Sequence, residues 1–167
     1  MKRIVVLMAV MFASFTAAGE KPANRAAIKE KEKTSMKEVN DFVKKCGFYF
    51  IATVDGDKPR VRPFGTIAIF EDKLYIQTSK LKNVAKQLKV NPNIEICAYN
   101  PTDGEWLRIE ATTVADERIE VKRYMLEQYP ELKRMYSAED EKTLVLYLKN
   151  VTATFNSFGG EPKTVKF

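Results

Sequence analysis

Short apolar segments joined by tight turns occupy residues 48–78, and this arrangement limits the fold more than any other sequence feature. The segments are rich in aromatic and β-branched residues, which favour strands. Asp55, Gly56 and Asp57 form a turn sequence after the first segment, and Glu71 and Asp72 form one after the second. Strands with such short connections pair antiparallel. The sequence therefore predicts a meander of three strands over 48–54, 60–70 and 74–78.

The later part of the chain mixes helical and strand patterns. Leu81, Val84 and Leu88 recur at helical spacing and predict a helix over 80–89, which Asn91 and Pro92 end. Further strands are predicted over 94–99, 106–115 and 143–155, and helices over 119–129 and 131–136. Six predicted strands without strict alternation of strand and helix indicate a mostly β fold with flanking helices (α+β). We expect a small antiparallel barrel with the helices packed outside it.

The N-terminal residues have the order of a secretory signal peptide. Lys2 and Arg3 precede an apolar run over 4–15, and the small residues Ala18 and Gly19 follow it. The run is shorter than the roughly 20 apolar residues that span a bilayer. We therefore predict a cleaved signal peptide at 1–19, export to the periplasm and no permanent insertion in the membrane.

The segment that follows is predicted to connect the signal peptide to one folded domain. Residues 20–34 are charged and lack a clear apolar period, which predicts a flexible linker. Ser35 and Glu38 have the spacing of a capping box, and an apolar helical face begins at Val39. The sequence therefore predicts a single domain over 35–167 that begins with a helix.

The counts of histidine and cysteine exclude several classes of site. The chain has 167 residues, no histidine and 2 cysteines. Without histidine it has no His-ligated haem or metal site, no Ser-His-Asp or Cys-His nucleophile and no imidazole acid or base. Cys46 and Cys97 are predicted to be small buried residues, with a disulfide as the alternative if export brings them together.

Composition and motifs also argue against binding of nucleotides or nucleic acid. The chain lacks the Rossmann glycine pattern and the P-loop. Its net charge of +6 is scattered rather than clustered in a basic stripe. We therefore expect neither a nucleotide-binding site of those two kinds nor a nucleic-acid partner, and we predict no metal site.

A pair of arginines is the first candidate for a ligand site. Arg60 and Arg62 occupy alternate positions of the second strand and therefore share a face. Pro63 cannot donate to a strand ladder, which indicates an edge, a bulge or a place where a ligand meets the backbone. The alternative is an exposed strand face on which both arginines meet solvent or carboxylates.

The start of the next helix is the second candidate, and it favours an anion. Ser79 follows Thr78 where a strand passes into a helix, so its hydroxyl is a plausible N-cap. Lys80 and Lys82 would oppose the helix dipole by roughly 0.3–1 kcal/mol each. A bound anion would reverse that penalty. Together the candidates could hold one phosphate group: Arg60, Arg62, Thr78, Ser79, Lys82 and Asn83, with Lys86 as a weaker member.

The sequence resembles a known family over about four fifths of its length, from Met36 onward. Two sequence segments account for much of the similarity, DGDKPRVRPFG and NPNIEICAYN. The run from Phe48 to Ile96 resembles the FMN-binding split barrel of the pyridoxamine 5'-phosphate oxidase-related proteins. The later stretches WLRIEATTVAD and YMLEQYPELKRMYSAED are similar to the nitroimidazole-reductase-like branch of that superfamily.

The resemblance implies a six-stranded split barrel that forms a homodimer, with FMN in two grooves between the subunits. By position, the second strand would run along the flavin ring and ribityl chain, the end of the next strand would approach the ring or ribityl oxygens, and the helix start would hold the phosphate. Trp106 would reach the pocket of the partner subunit. The residues implied are Arg60, Val61, Arg62 and Pro63, then Gln77 and Thr78, then Ser79, Lys82 and Asn83, with Trp106.

Two functions remain open from the sequence. The first is an FMN-dependent oxidoreductase that acts on a small organic substrate, with NADH or NADPH as a candidate electron donor. The second is a protein that binds FMN or another phosphorylated ligand without turnover. The Arg-x-His pair of authentic pyridoxamine 5'-phosphate oxidases is absent, so the resemblance does not carry that activity over. No catalytic residue is assigned.

Overall fold

A mostly antiparallel sheet and three α-helices make up the fold in the computed structural model, which describes residues 22–167. The predicted signal peptide lies outside the described residues. The elements in chain order are α1 (Pro22–Cys46), β1 (Tyr49–Asp55), β2 (Lys58–Phe64), β3 (Ala68–Phe70), β4 (Lys73–Ser79), α2 (Asn83–Val90), β5 (Asn93–Asn100), β6 (Glu105–Asp116), α3 (Ile119–Gln128), a 3₁₀ helix (Pro130–Arg134), β7 (Thr143–Ser157) and β8 (Lys163–Lys166).

The strands form one curved sheet in the order β2-β1-β5-β6-β7-β4-β3, and β8 pairs with β7. All the pairs are antiparallel. This arrangement has eight strands rather than six, and within the described residues no ladder joins β2 to β3. The sheet is therefore like a split barrel that remains open along one side.

The predicted second strand is interrupted, which explains one of the additional strands. Residues 65–67 separate β2 from β3, and β2 lies at an edge of the sheet, as Pro63 indicated. Tyrosine hydroxyls satisfy the backbone there: Tyr49 donates to the carbonyl of Thr66 at 2.8 Å, and the Tyr129 hydroxyl bonds both to the carbonyl of Ile67, at 2.7 Å, and to its amide, at 2.9 Å. The other additional strand, β8, pairs with the second half of β7.

The first helix begins earlier than the sequence predicted. It runs from Pro22, so the charged segment is helical where the structure describes it. The predicted capping box is wrong, because Ser35 lies inside the helix rather than at its start. Alanine, lysine and glutamate have high helix propensity, and proline is favoured in the first turn. Residues 24–34 are exposed, and the next two residues, Ser35 and Met36, are buried.

The main core fills the concave face of the sheet. Alternate strand residues such as Ile51, Ile76, Ile96 and Ile109 are fully buried there. The helices α1 and α2 cover this face with their own apolar side chains: Met36, Val39 and Val43 from α1, and Val84, Ala85 and Leu88 from α2. A second, smaller core lies under α3, which packs against the convex side of β3, β4 and β7. The helix α2 therefore lies over the concave face.

Two further observations concern the described residues as a whole. Residues 22–167 include no helix that is long and apolar enough to cross a membrane. The same residues contain no group of three or more cysteine, aspartate or glutamate side chains arranged to hold a metal ion.

The two cysteines differ in exposure. Cys46 is half-buried, but Cys97 is exposed, so the predicted burial of Cys97 is wrong; neither thiol is paired.

Candidate functional site

Arg62 is the centre of the candidate site. It lies on β2 opposite Ile51 of β1, and its half-buried side chain turns towards α2. Its Nη1 donates to the Ile51 carbonyl at 3.2 Å and to Thr53 Oγ1 at 2.7 Å. Its Nη2 donates to Gln87 Oε1 at 2.9 Å. The guanidinium group is thus held by one strand and one helix, and all its acceptors are neutral.

No carboxylate pairs with Arg62 among the described residues. Burial lowers the pKa of Arg62, and the nearby charge of Arg60 lowers it further. An arginine nevertheless stays charged in a protein, so the cost of partly removing this cation from water is not offset by an anion of the chain. Such a site favours an anion from outside.

Arg60, in contrast, is already paired. Its Nε lies 3.2 Å from Asp55 Oδ2, and both side chains are about half exposed. The pair spans the end of the β1–β2 hairpin, where Gly56 takes a positive φ of 64° in the turn. Arg60 is therefore on the rim, and Arg62 is the arginine that faces α2.

The helix α2 contacts Arg62 through Gln87. Asn83 is its first residue, and Gln87, the partner of Arg62, lies one turn further along the same side. Lys82 has an extended backbone before the helix, and no side chain caps the N-terminus. Lys82, Asn83 and Lys86 are exposed, and the first turn contains no acidic residue. The free N–H groups and the positive end of the helix dipole add to the charge of Arg62.

The residues predicted at the end of β4 divide between the two faces of the sheet. Thr78 follows Leu74 and Ile76 on the concave face, which is the face that α2 covers, and its Oγ1 has no partner. Gln77 shares the opposite face with Tyr75, and neither polar atom of its buried side chain has a partner. The side chains of Gln77 and Thr78 therefore cannot enter the same groove.

Ser79 does not cap α2 as the sequence suggested. Its Oγ accepts a hydrogen bond from the Leu81 amide at 3.2 Å, in a turn that precedes the helix. The Lys82 amide donates to the Ser79 carbonyl at 3.1 Å, which continues the turn. Lys80 lies near Glu117, with Nζ 2.7 Å from Oε2, so its charge is compensated. Ser79 therefore stabilises the turn that precedes α2 and not the first turn of the helix.

Val61, Pro63 and Trp106 lie on the convex side of the sheet. We call the convex side of β2, β1, β5 and β6 the outer face; its large exposed apolar residues are Phe48, Phe50, Val54, Val61 and Tyr99. Trp106 is opposite Tyr99, and its ring centre lies 5.1 Å from that of Phe158, with the two ring planes tilted. The strand of Trp106 is three places from that of Arg62, or roughly 14 Å at the usual strand spacing. One chain does not bring Trp106 to Arg62.

Thr53 and Gln87 are the site residues that the sequence analysis missed. Both are buried, and Thr53 Oγ1 donates to Gln87 Oε1 at 2.7 Å. A signal was present in each case. Thr53 is a polar residue on the inward side of β1, in alternation with Tyr49 and Ile51, and Gln87 interrupts the apolar side of α2. A polar side chain among core positions must find a partner.

Comparison with known proteins gives a family match and several structural matches. Residues 35–156 match the family described as pyridoxamine 5'-phosphate oxidase. A NimC/NimA family protein from Clostridium acetobutylicum has 40% sequence identity and a TM-score of 0.80, and the match covers 84% of this chain and 98% of that chain. A comparison with curated protein sequences gives no match.

Two more distant structures share the fold. General Stress Protein 26 from Bacillus anthracis has 18% identity and a TM-score of 0.63, with 84% of this chain and 98% of that chain covered. A pyridoxamine 5'-phosphate oxidase-related, FMN binding protein from Nostoc punctiforme has 14% identity and a TM-score of 0.55, with 90% and 98% covered. The match to the Clostridium protein extends over nearly the whole of that chain, so the likeness is not confined to one motif.

Proposed function

The chain belongs to the pyridoxamine 5'-phosphate oxidase family, and from this premise we propose that it binds FMN and uses it as an oxidoreductase on a small organic substrate. The observation that carries the proposal is the half-buried guanidinium of Arg62, which only neutral groups hold. A phosphate at Arg62 would supply the missing negative charge through charge-assisted hydrogen bonds. The distant Nostoc protein of the same fold is described as FMN binding.

Arg62 and the start of α2 would hold the phosphate. Lys82 and Asn83 are exposed at the uncapped N-terminus, where backbone N–H groups can bind phosphate oxygens. Thr78 lies on the same face of the sheet and has a hydroxyl without a partner. Arg60 would add a charge at the rim. Val61 and Pro63 lie on the opposite face of the edge strand from Arg62, so a flavin ring that contacts them would have to pass round the edge of β2.

When bound, FMN would supply hydride exchange at its N5 atom. The side chains around Arg62 would bind and orient the cofactor. Arg62 would fix the phosphate end, because its own position is fixed by Ile51, Thr53 and Gln87. The cations around the site also raise the local positive potential, which would favour the negatively charged reduced flavin.

A test of the phosphate assignment compares FMN with riboflavin, which lacks the phosphate. Arg62→Ala should weaken FMN binding by about 10- to 100-fold, since a hydrogen bond to a charged group contributes roughly 1.5–3 kcal/mol. Riboflavin binding should change much less. Arg134→Ala is the matched control, because Arg134 is exposed in the 3₁₀ helix. Equal affinities of the purified protein for FMN and riboflavin would refute the assignment.

We also propose a homodimer that completes the site. The outer face has five large exposed apolar residues, and a two-fold contact could cover them. It would also carry Trp106 of one subunit towards the edge strand β2 of the other, whose concave side carries Arg62. Light scattering should give twice the monomer mass. Tyr99→Glu should dissociate the dimer, whereas Met135→Glu, at an exposed apolar residue elsewhere, should not. A monomer that binds FMN would contradict the shared site.

A second candidate function is binding of FMN without turnover. The side chains that accept hydrogen bonds from Arg62 are Thr53 and Gln87, and neither titrates near neutral pH. Anaerobic mixing with NADH or NADPH separates the two functions. Bleaching of the flavin absorbance, with recovery on adding a nitroaromatic or quinone, supports the oxidoreductase. A flavin that stays oxidised with both nicotinamides, and that reacts with neither acceptor after chemical reduction, supports the binding protein.

Export remains part of the proposal. The order of basic, apolar and small residues at 1–19 supports a periplasmic protein with a cleaved signal peptide. Mass spectrometry of the protein from its native host should show a chain that begins near Gly19 or Glu20. A full-length product recovered from the cytoplasm would contradict export and leave the cofactor assignment untouched.

A further inference from the structure

The contacts of Gln87 assign it a part in cofactor choice that its residue type does not suggest. Its Oε1 accepts two hydrogen bonds, from Arg62 Nη2 at 2.9 Å and from Thr53 Oγ1 at 2.7 Å. Thr53 Oγ1 in turn accepts from Arg62 Nη1 at 2.7 Å. Arg62, Thr53 and Gln87 thus form a closed ring of hydrogen bonds. We call these three residues the Arg62 ring.

We infer that Thr53 and Gln87 are positioning residues that fix Arg62 without neutralising it, and so determine the preference for a phosphorylated flavin over an unphosphorylated one. The inference rests on the proposed FMN function and concerns the same site. A carboxylate at position 87 would hold the guanidinium equally well. It would also compensate the charge of Arg62 inside the chain and leave less attraction for a phosphate.

The surroundings of the ring support a role for the neutral amide. Thr53 and Gln87 are buried, with exposed fractions of 3% and 8%, so water does not replace these partners readily. Gln87 lies on α2, the element whose N-terminus faces the proposed phosphate. Its contact with Arg62 therefore sets the position of the guanidinium relative to that N-terminus. A shift of this contact would move the two halves of the phosphate site apart.

The deciding experiment uses Gln87→Glu, which keeps the shape and the acceptor but adds a negative charge. We expect FMN binding by the purified protein to weaken by about 10- to 100-fold, because a unit charge in hydrogen-bond contact with Arg62 opposes the phosphate directly. Riboflavin binding should change by less than about threefold, since riboflavin carries no charge to repel. The matched control is Gln128→Glu, which adds the same charge at an exposed position at the end of α3.

The variants Gln87→Met and Thr53→Val separate the effect of an added negative charge from the effect of losing a hydrogen-bond partner of Arg62. Each removes a hydrogen-bond partner without adding charge, so each should weaken FMN binding by only about 3- to 10-fold, again with little effect on riboflavin. We therefore expect Gln87→Glu to weaken FMN binding more than Gln87→Met does. A merely structural role predicts the reverse order, because glutamate preserves the contact and methionine does not. If Gln87→Glu does not fold, Thr53→Val still tests the inference by its effect on the FMN-to-riboflavin ratio.

The possible results distinguish the inference from the proposed function. If Arg62→Ala lowers the FMN-to-riboflavin ratio but Gln87→Glu leaves it unchanged, the phosphate assignment stands and the role of Gln87 is wrong. If Arg62→Ala itself leaves the ratio unchanged, the phosphate assignment fails. A Gln87 variant that weakens FMN and riboflavin equally also contradicts the inference, since that result indicates general damage to the fold.

Discussion

Arg62 and Arg118 are both held by several hydrogen bonds, but their electrostatic surroundings are opposite. Arg118 follows β6 and pairs with two carboxylates: Nη1 lies 2.8 Å from Glu71 Oε2, and Nη2 lies 2.8 Å from Asp116 Oδ2. Arg62 has three neutral acceptors and no carboxylate partner in the described chain. The difference indicates two uses of the same residue type. The chain neutralises Arg118 itself, whereas the described residues supply no carboxylate partner to Arg62.

The environment of Arg118 is typical of a structural cluster. The hydroxyl of buried Tyr75 donates to Asp116 Oδ2 at 3.0 Å, and the Arg118 guanidinium lies 5.9 Å from the centre of the Phe70 ring. Hydrogen bonds from Arg118 hold the pKa of Asp116 at about 2. Burial, with the hydrogen bond to Asp116, raises the pKa of Tyr75 to about 12. Every charge in this cluster has a partner, so it offers little to an external ion.

The largest expected effect on stability comes from breaking the Arg118 cluster. Asp116→Ala leaves the buried Tyr75 hydroxyl without its acceptor, and we expect a loss of about 2–3 kcal/mol in the free energy of unfolding. At about 2–4 °C per kcal/mol, the melting temperature should fall by roughly 4–12 °C. Glu127→Ala, which removes an exposed carboxylate from α3, is the control. An unchanged melting temperature would show that the cluster does not stabilise the fold.

The pH dependence of stability should show the same cluster. The pKa of Asp116 is lower in the folded chain than in the unfolded chain, so its contribution is present above about pH 4 and is lost as the pH falls towards 2. The pKa of Tyr75 is higher in the folded chain, so its contribution is present below about pH 10 and is lost as the pH rises towards 12. Melting curves should show both losses, and Asp116→Asn should reduce both. A variant with the wild-type profile would contradict this assignment.

The smallest effect on stability should come from Arg62. Arg62→Ala in the protein without ligand removes three hydrogen bonds but also removes an uncompensated charge, and Thr53 can still donate to Gln87. These effects oppose each other, so we expect a change below about 1 kcal/mol in the free energy of unfolding. Thermal melting of the ligand-free protein measures it. A loss as large as that of Asp116→Ala would make Arg62 a structural residue and remove the contrast with Arg118.

Local patterns predicted the strands well and the ends of some elements poorly. Alternation within β2 predicted that Arg60 and Arg62 share a face. Pro63 predicted an edge, a bulge or a place where a ligand meets the backbone, and β2 lies at an edge of the sheet. The start of α1 was missed because its first half packs against little of the core and therefore has no apolar period. The break between β2 and β3 depends on hydroxyls of Tyr49 and Tyr129, which are distant in sequence from the backbone groups they satisfy.

The Arg62 ring also depends on contacts that local sequence patterns do not predict. The sequence indicated a cationic site from Arg62 and the start of α2. It did not indicate which arginine is compensated, because the neighbours that decide this come from two other elements, β1 and α2. Arg60 pairs with the carboxylate of Asp55, whereas Arg62 donates hydrogen bonds to the neutral side chains of Thr53 and Gln87. Tertiary contacts of this kind set the charge balance of a site, and a spacing rule for one strand or helix does not contain them.

The most direct test of the central claim is a titration of the wild type and Arg62→Ala with FMN and with riboflavin, followed by flavin fluorescence. An uncompensated Arg62 that binds the phosphate predicts that the wild type prefers FMN by at least about tenfold, and that Arg62→Ala removes most of this preference with riboflavin affinity nearly unchanged. Equal binding of the two flavins by the wild type, or an FMN preference that survives Arg62→Ala, would contradict the claim.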